Sequence, residues 1–141
     1  IAAIITLLHD VMVVVGIFSI FDKEFTLPVI AALLTVVGYS LNDTIVIFDR
    51  IRENISKFRK RELLPLINQS VTETLSRTLL TSGTTLMVVL ALVFLGGEII
   101  HDFAFALLVG VLIGTYSSIY VASPTVLWLT KIAPPKSATN R

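Results

Sequence analysis

The sequence predicts an all-α integral membrane protein with four transmembrane helices. Hydrophobic residues make up 55% of the 141 residues and charged residues only 15%, whereas a soluble domain is typically about 45–50% apolar and about 25% charged. The mean hydropathy is +0.88. Four long apolar stretches lack the polar face, repeated at helical spacing, that a helix on the surface of a soluble domain shows. Lipid is therefore the expected solvent.

Each apolar stretch is long enough to cross a membrane, because about 20 helical residues span roughly 30 Å of hydrocarbon. Pro28 suits the first turn of the second helix, and Gly96 and Gly97 interrupt the chain before the fourth. The helices are predicted at about 1–21, 27–49, 72–95 and 102–130. Together they make residues 1–132 one transmembrane domain.

Basic residues are concentrated between the second and third helices, where a loop is predicted at 50–65. The loop contains Arg50, Arg52, Lys57, Arg59, Lys60 and Arg61. The first loop contains only Lys23. The positive-inside rule therefore predicts that the 50–65 loop and a disordered tail at 133–141 face the cytoplasm. The loop either contacts anionic lipid or docks a protein partner.

Several classes of chemistry have no support in the sequence. There is no cysteine, which excludes disulfides, thiolate metal sites and cysteine nucleophiles. Ser82 is not in a Gly-x-Ser-x-Gly elbow, and no phosphate-binding loop is present. We therefore predict no enzymatic activity, no cofactor, no metal and no nucleic-acid partner. The chain opens at Ile1 inside an apolar run, so we expect more chain upstream.

Two charged residues are predicted at the same depth in the membrane. Asp43 lies 16 residues after Leu27, or ~24 Å along an inward helix. Arg77 lies 18 residues before Leu95, or ~27 Å from the same face. Opposite charges on adjacent helices make both tolerable in hydrocarbon. The pair is either a static ion pair or a proton-titrating carboxylate with a cationic partner, and Arg77 could also extend to the interface.

Further polar residues form a seam around this pair. Helix three carries Thr74, Thr78, Thr81 and Thr85 on one face, and helix two carries Thr35, Tyr39, Ser40, Asn42 and Thr44. The seam could hold water and pass protons, or supply interhelical hydrogen bonds of about 0.6–2 kcal/mol each. Asp10, beside His9 in helix one, is either a second relay element or part of a packing pair. Asp102 is interpreted as a helix cap.

Small residues recur every fourth position on the fourth helix. They are Ala106, Gly110, Gly114 and Ser118. Such a stripe allows two helices to approach closely. It therefore predicts a packing face at Gly110 and Gly114 without identifying the partner helix.

Two segments resemble a known family. Residues 38–54 read GYSLNDTIVIFDRIREN and resemble a signature of SecF-like members of the SecD–SecF protein-export family. Residues 75–85, LSRTLLTSGTT, are similar to that family's next membrane motif. The resemblance extends from residue 1 to about residue 130. It implies that Asp43 and Arg77 match the family's intramembrane charged residues, with Asn42 and Thr81 as relay neighbours.

The resemblance also implies an architecture and a role. SecF-like proteins are expected to have six membrane helices, with a large extracytoplasmic domain after the first, on a fold similar to resistance-nodulation-division transporters. The four helices of this chain would correspond to the third to sixth, so the chain would be a C-terminal fragment of that half-transporter bundle. The implied role is proton-motive-force-coupled assistance to late steps of protein export across a bacterial or archaeal plasma membrane.

The same resemblance implies partners. They are a SecD-like subunit, the SecYEG channel and the exported polypeptide, contacted through the extracytoplasmic domain. Two other functions stay open. One is a proton-coupled exporter of small solutes on the same fold. The other is a purely structural scaffold for the channel.

Overall fold

The computed structural model describes residues 1–58 and 62–132, and within these ranges it contains five α-helices. They are α1 (Ala2–Ile20), α2 (Leu27–Lys57), α3 (Leu63–Leu95), α4 (Glu98–Tyr120) and α5 (Ala122–Ile132). No strand occurs in the described part of the chain. The predicted tail at 133–141 lies outside the described residues, as do three of the predicted loop residues, 59–61.

Four segments are long and apolar enough to cross a membrane. They are Ala2–Ile20, Leu27–Lys57, Leu63–Leu95 and Glu98–Ile132. The bundle also exposes apolar side chains and buries polar ones: Met12 is 71% exposed and Phe94 79%, whereas Asp10 and Ser40 are buried. This distribution suits a lipid surround, in which polar groups must find partners inside the protein. The prediction of an all-α membrane bundle with four spans is confirmed.

The predicted extent of the 50–65 loop is wrong, because both flanking helices continue through most of it. Helix α2 runs to Lys57 and helix α3 begins at Leu63, well before the start predicted at residue 72. Hydropathy marks where a helix leaves the hydrocarbon and not where its backbone hydrogen bonds end. Side-chain hydrogen bonds from Arg50 to Glu73 and from Asn54 to Ser70 hold these extensions of the two helices together.

The fourth helix is also not the single helix predicted at 102–130. It begins at Glu98 and is interrupted at Val121, and α5 continues it to Ile132. Pro124 accounts for the break: it has no N–H to donate, and its ring conflicts with the carbonyl group of Tyr120, four residues earlier. The fourth span therefore consists of two consecutive helices, α4 and α5.

Contacts establish which ends of the helices lie together. At one end, here called the α1–α2 end, Lys23 pairs with Asp102 and the Phe18 and Phe105 rings lie 5.8 Å apart. At the other end, here called the hairpin end, a cluster of Ile47, Ile51 and Ile67 packs against Val126 and Leu127 of α5. Helix α4 packs against each of the other described helices and so occupies the centre of the bundle.

Candidate functional site

Asp43 is a buried carboxylate on α2. Its side chain is 5% exposed, and its Oδ2 atom has no hydrogen-bond partner in the described chain. Burying a carboxylate without partners is costly. A group kept in this condition inside a membrane bundle is therefore a candidate for function.

Arg77 lies on α3 near the depth of Asp43 but does not touch it. Tyr39 Oη donates to Ser82 Oγ over 3.2 Å, and Arg50 Nε donates to Glu73 Oε2 over 2.6 Å. These two α2–α3 contacts bracket Asp43 and Arg77, which puts the pair within about one helical turn of the same level.

No ion pair within 4.0 Å joins Asp43 and Arg77 in the described residues. Arg77 is exposed on the surface of α3. Asp43 and Arg77 therefore lie near the same level without forming an ion pair.

Asp10 lies deeper in the bundle than its neighbour His9. Its side chain is 1% exposed, and Ser40 Oγ of α2 donates to its Oδ2 atom. His9 Nδ1 lies 3.1 Å from its Oδ1 atom. The contact with Ser40 joins α1 directly to the helix that carries Asp43.

Hydroxyl groups connect α2, α3 and α4 around the two carboxylates. Ser82 Oγ lies 2.7 Å from Thr115 Oγ1 and also accepts from Tyr39. Thr44 Oγ1 lies 3.3 Å from Ser118 Oγ. Thr115 was not predicted as a site residue, although it is a hydroxyl residue on the apolar fourth helix.

The predicted relay neighbours differ in position. Asn42 is exposed, and no hydrogen bond joins it to the buried seam in the described residues. Thr81 is half-buried and donates to the Arg77 carbonyl oxygen over 2.8 Å, as membrane threonines commonly do. Of the threonines on its face, Thr74 and Thr78 are buried. The structure thus brings Asp10 close to the seam and leaves Asn42 outside it.

Gly110 and Gly114 lie where α4 meets α2. A Cβ atom at Gly110 would lie 2.1 Å from Val36 Cγ2, and one at Gly114 would lie 3.3 Å from Ser40 Cβ. With Thr44 against Ser118, the contacts repeat every fourth residue along two parallel helices. The glycines therefore permit the close approach that fixes Ser40 beside Asp10.

A second polar cluster fastens α2 to α3 at the hairpin end. The buried Asn54 Nδ2 donates to Ser70 Oγ over 2.9 Å and to Glu73 Oε2 over 3.2 Å. Arg50 Nη1 donates to Glu53 Oε2 over 2.8 Å, in addition to its bond to Glu73. This cluster was not predicted, because the residues after Asp49 were expected to form a loop. Across residues 1–58 and 62–132, no group of three or more His, Asp or Glu side chains is placed to hold a metal.

Comparisons with known proteins support one family. The family model described as "Protein export membrane protein SecD/SecF, C-terminal" matches residues 1–132. A "Protein translocase subunit SecF" from Desulfurispirillum indicum is 62% identical over 87% of this chain and 40% of its own length. A "Protein translocase subunit SecDF" from Thermus thermophilus is 54% identical over 90% of this chain and 17% of its own length.

A solved structure agrees with these sequence matches. The "Crystal structure of SecDF in Super-membrane-facing form" matches with a TM-score of 0.88 and 52% identity, over 93% of this chain and 18% of that one. The chain thus spans about 40% of the SecF relative from Desulfurispirillum and a smaller share of the SecDF proteins. With matching sequence, fold and helix order, the chain belongs to the SecD/SecF family of protein-export membrane proteins and corresponds to its C-terminal membrane region.

Proposed function

We propose that this chain is the proton-coupled membrane domain of an auxiliary subunit of the Sec protein translocase, which promotes late steps of protein export. Relatives are named protein translocase subunits, and a buried carboxylate inside the membrane bundle supports a coupling role for the chain. The observation that carries the proposal is Asp43: a buried carboxylate with an unpartnered oxygen, near the level of an arginine it does not touch.

Proton binding at Asp43 would change the interaction between α2 and α3. An ionised Asp43 attracts Arg77, and a neutral Asp43 does not. The two helices would then prefer different packings in the two states. Moving one elementary charge through 100 mV is worth about 2.3 kcal/mol, which is enough for a modest conformational shift per proton. The mechanism is coupling without bond cleavage, so no enzymatic activity is proposed.

The proposed partners follow from the relatives. A SecDF relative carries both names on one chain, which supports a SecD-like partner for this one. The apolar side chains exposed along the bundle offer surface for it, as well as for lipid. The SecYEG channel and an exported polypeptide, contacted through an extracytoplasmic domain, complete the proposed assembly. Anionic lipid would meet the basic residues at the hairpin end.

The proposed location is a bacterial or archaeal plasma membrane, with the hairpin end and the C-terminus cytoplasmic. The hairpin end carries the basic residues Arg50, Arg52 and Lys57. At the α1–α2 end, Lys23 is the one Lys or Arg among the described loop residues. The positive-inside rule therefore supports this orientation.

Cysteine labelling of intact cells tests the orientation. In a full-length protein without other cysteines, Glu24→Cys should react with an impermeant maleimide from outside. Lys57→Cys should react only after the membrane is permeabilised. Glu24 is preferable to Lys23 because Lys23 pairs with Asp102. Outside labelling of Lys57→Cys in unbroken cells would contradict the proposed topology.

Two other functions share the fold. A proton-coupled exporter of small solutes would use the same carboxylate, and a structural scaffold for the channel would use none of it. The unpartnered Oδ2 atom of Asp43 favours coupling over scaffolding, because a static brace gains nothing from an unsatisfied buried group.

Reconstitution of the full-length protein with its SecD-like partner tests the proposal. Proteoliposomes under an imposed pH gradient should show proton uptake above that of protein-free vesicles. Adding the channel, its motor and a secretory precursor should increase export in a gradient-dependent way. Export stimulation that persists after the gradient is collapsed would favour the scaffold, and proton flux with no effect on export would favour the solute exporter.

A further inference from the structure

Asp10 is the most buried acidic side chain among the described residues, with 1% exposure. It lies near the middle of α1, and Ser40 of α2 donates a hydrogen bond to its carboxylate. An ionisable group in hydrocarbon is expensive and usually serves function. The proposed mechanism, which uses Asp43 and Arg77, leaves this carboxylate without a role.

The surroundings of Asp10 contain no Lys or Arg within ion-pair distance among the described residues. Helix α1 packs against α2, α4 and α5, and at the level of Asp10 these helices present Ser40 and Gly114. The titratable groups nearest that level on the packed helices are Tyr39 and Asp43 on α2, Tyr116 on α4 and Lys131 on α5.

None of these groups is an ionic partner of Asp10. Tyr39 bonds to Ser82 on the α3 side, Tyr116 is 56% exposed, and Lys131 lies near the end of α5. Among the described residues, the side chains that contact the Asp10 carboxylate through hydrogen bonds are therefore the adjacent His9 and Ser40. It can gain or lose a proton without breaking an ion pair to Lys or Arg.

Ser40 bonds to Asp10 and stands one helical turn from Asp43 on α2. Ser40 and Asp43 are both buried and stand three residues apart on α2, where side chains are neighbours with Cβ atoms about 5–6 Å apart. Ser40 donates to Asp10, whereas the Oδ2 atom of Asp43 is buried without a hydrogen-bond partner in the described residues. A hydroxyl group both donates and accepts, so Ser40 would link the two carboxylates once the Asp43 side chain turns to donate to it.

We propose that Asp10 is a second proton-binding carboxylate of this membrane domain, exchanging protons with Asp43 through the hydroxyl group of Ser40. In the forward step, the proton on Asp43 moves to Ser40 Oγ while the Ser40 hydroxyl proton moves to Asp10 Oδ2. Each O–H bond that breaks is matched by one that forms, so Ser40 is unchanged, Asp43 becomes ionised and Asp10 becomes neutral. This inference rests on the proposed proton coupling and extends its path to α1.

The test uses the full-length complex in proteoliposomes, with Asp43→Asn as a reference and three further variants beside the unchanged protein. Asp10→Asn keeps an acceptor for Ser40 but cannot titrate, and should lower proton flux by about tenfold or more, within the range of a lost proton-transfer group. Ser40→Ala keeps both carboxylates and should also lower flux. Asp102→Asn is the matched control, since that carboxylate is an exposed partner of Lys23, and it should conduct normally.

Infrared difference spectroscopy on acidification supplies a readout that would not change if Asp10 had only a structural role. The carbonyl band of a protonated carboxyl group should lose a component in Asp10→Asn, and that component should persist at a shifted frequency in Ser40→Ala. The inference is overturned if Asp10→Asn conducts like the unchanged protein while Asp43→Asn does not. Absence of flux in the unchanged protein would instead refute the proposed function and this inference together.

Discussion

Replacing Asp43 by Asn in the full-length protein is expected to abolish proton flux and export stimulation while leaving the protein in the membrane at normal abundance. Asparagine preserves the size of the side chain but cannot bind and release a proton. Removing one member of a contacting buried ion pair can cost about 3–5 kcal/mol. Here Asp43 and Arg77 are not in contact, so we expect a much smaller loss of stability.

Two further substitutions make this result interpretable. Asp43→Glu retains a titratable group displaced by one methylene, and should keep partial flux and partial export. Arg77→Ala should lose both activities while still assembling with its partner. Flux and precursor export are measured in the same vesicles, together with abundance by immunoblot. Full activity of Asp43→Asn at normal abundance would rule out the proposed coupling role.

Gly110→Leu is expected to have the largest effect on stability. A Cβ atom alone at this position would lie 2.1 Å from Val36 Cγ2. Valine has one strongly preferred rotamer in a helix, so Val36 cannot turn away, and α4 must separate from α2. Overpacking of this kind costs about 1–3 kcal/mol and can cost more. The thermal unfolding temperature in detergent and the yield of the complex should both fall.

A graded series separates close packing from a general intolerance of larger residues. Gly110→Ala should destabilise the protein more than Gly114→Ala, because the added Cβ atom would lie 2.1 Å from its nearest neighbour at Gly110 and 3.3 Å at Gly114. Gly16→Leu is the matched control, since no atom lies within 4 Å of an added Cβ atom there. Equal unfolding temperatures for Gly110→Leu and Gly16→Leu would contradict the α2–α4 contact.

Hydropathy and charge predicted most of the fold. The four spans follow from apolar length, since lipid admits few alternatives to a helix. The charged extension of α2 to Lys57 and the start of α3 at Leu63 were not predicted, because a helix outside the membrane leaves no apolar signal. The break at Val121 could have been predicted from Pro124. It was not predicted because the length of the apolar stretch was taken to indicate one continuous helix.

The depth of the candidate-site residues could be predicted from the sequence, but their side-chain contacts could not. Residue counting along antiparallel helices put Asp43 and Arg77 at one level, and the α2–α3 hydrogen bonds bracket that level. Counting cannot give helix rotation. Adjacent residues on a helix point about 100° apart, which is why Asp43 is buried and Asn42 exposed. The Asp10–Ser40 bond depends on three helices meeting, which one sequence does not specify.

The close contact of α2 with α4 would allow α2 to tilt about this contact as a lever tilts about its fulcrum. The glycines hold Val36 and Ser40 against α4, and Asp43 lies within one turn of this fulcrum. Lys57, at the end of the same uninterrupted helix, is about 26 Å beyond Ser40. A tilt of about 5° about the fulcrum would displace Lys57 by about 2 Å at this helical rise. A small displacement of α2 near Asp43 would thus become a larger displacement at the hairpin end.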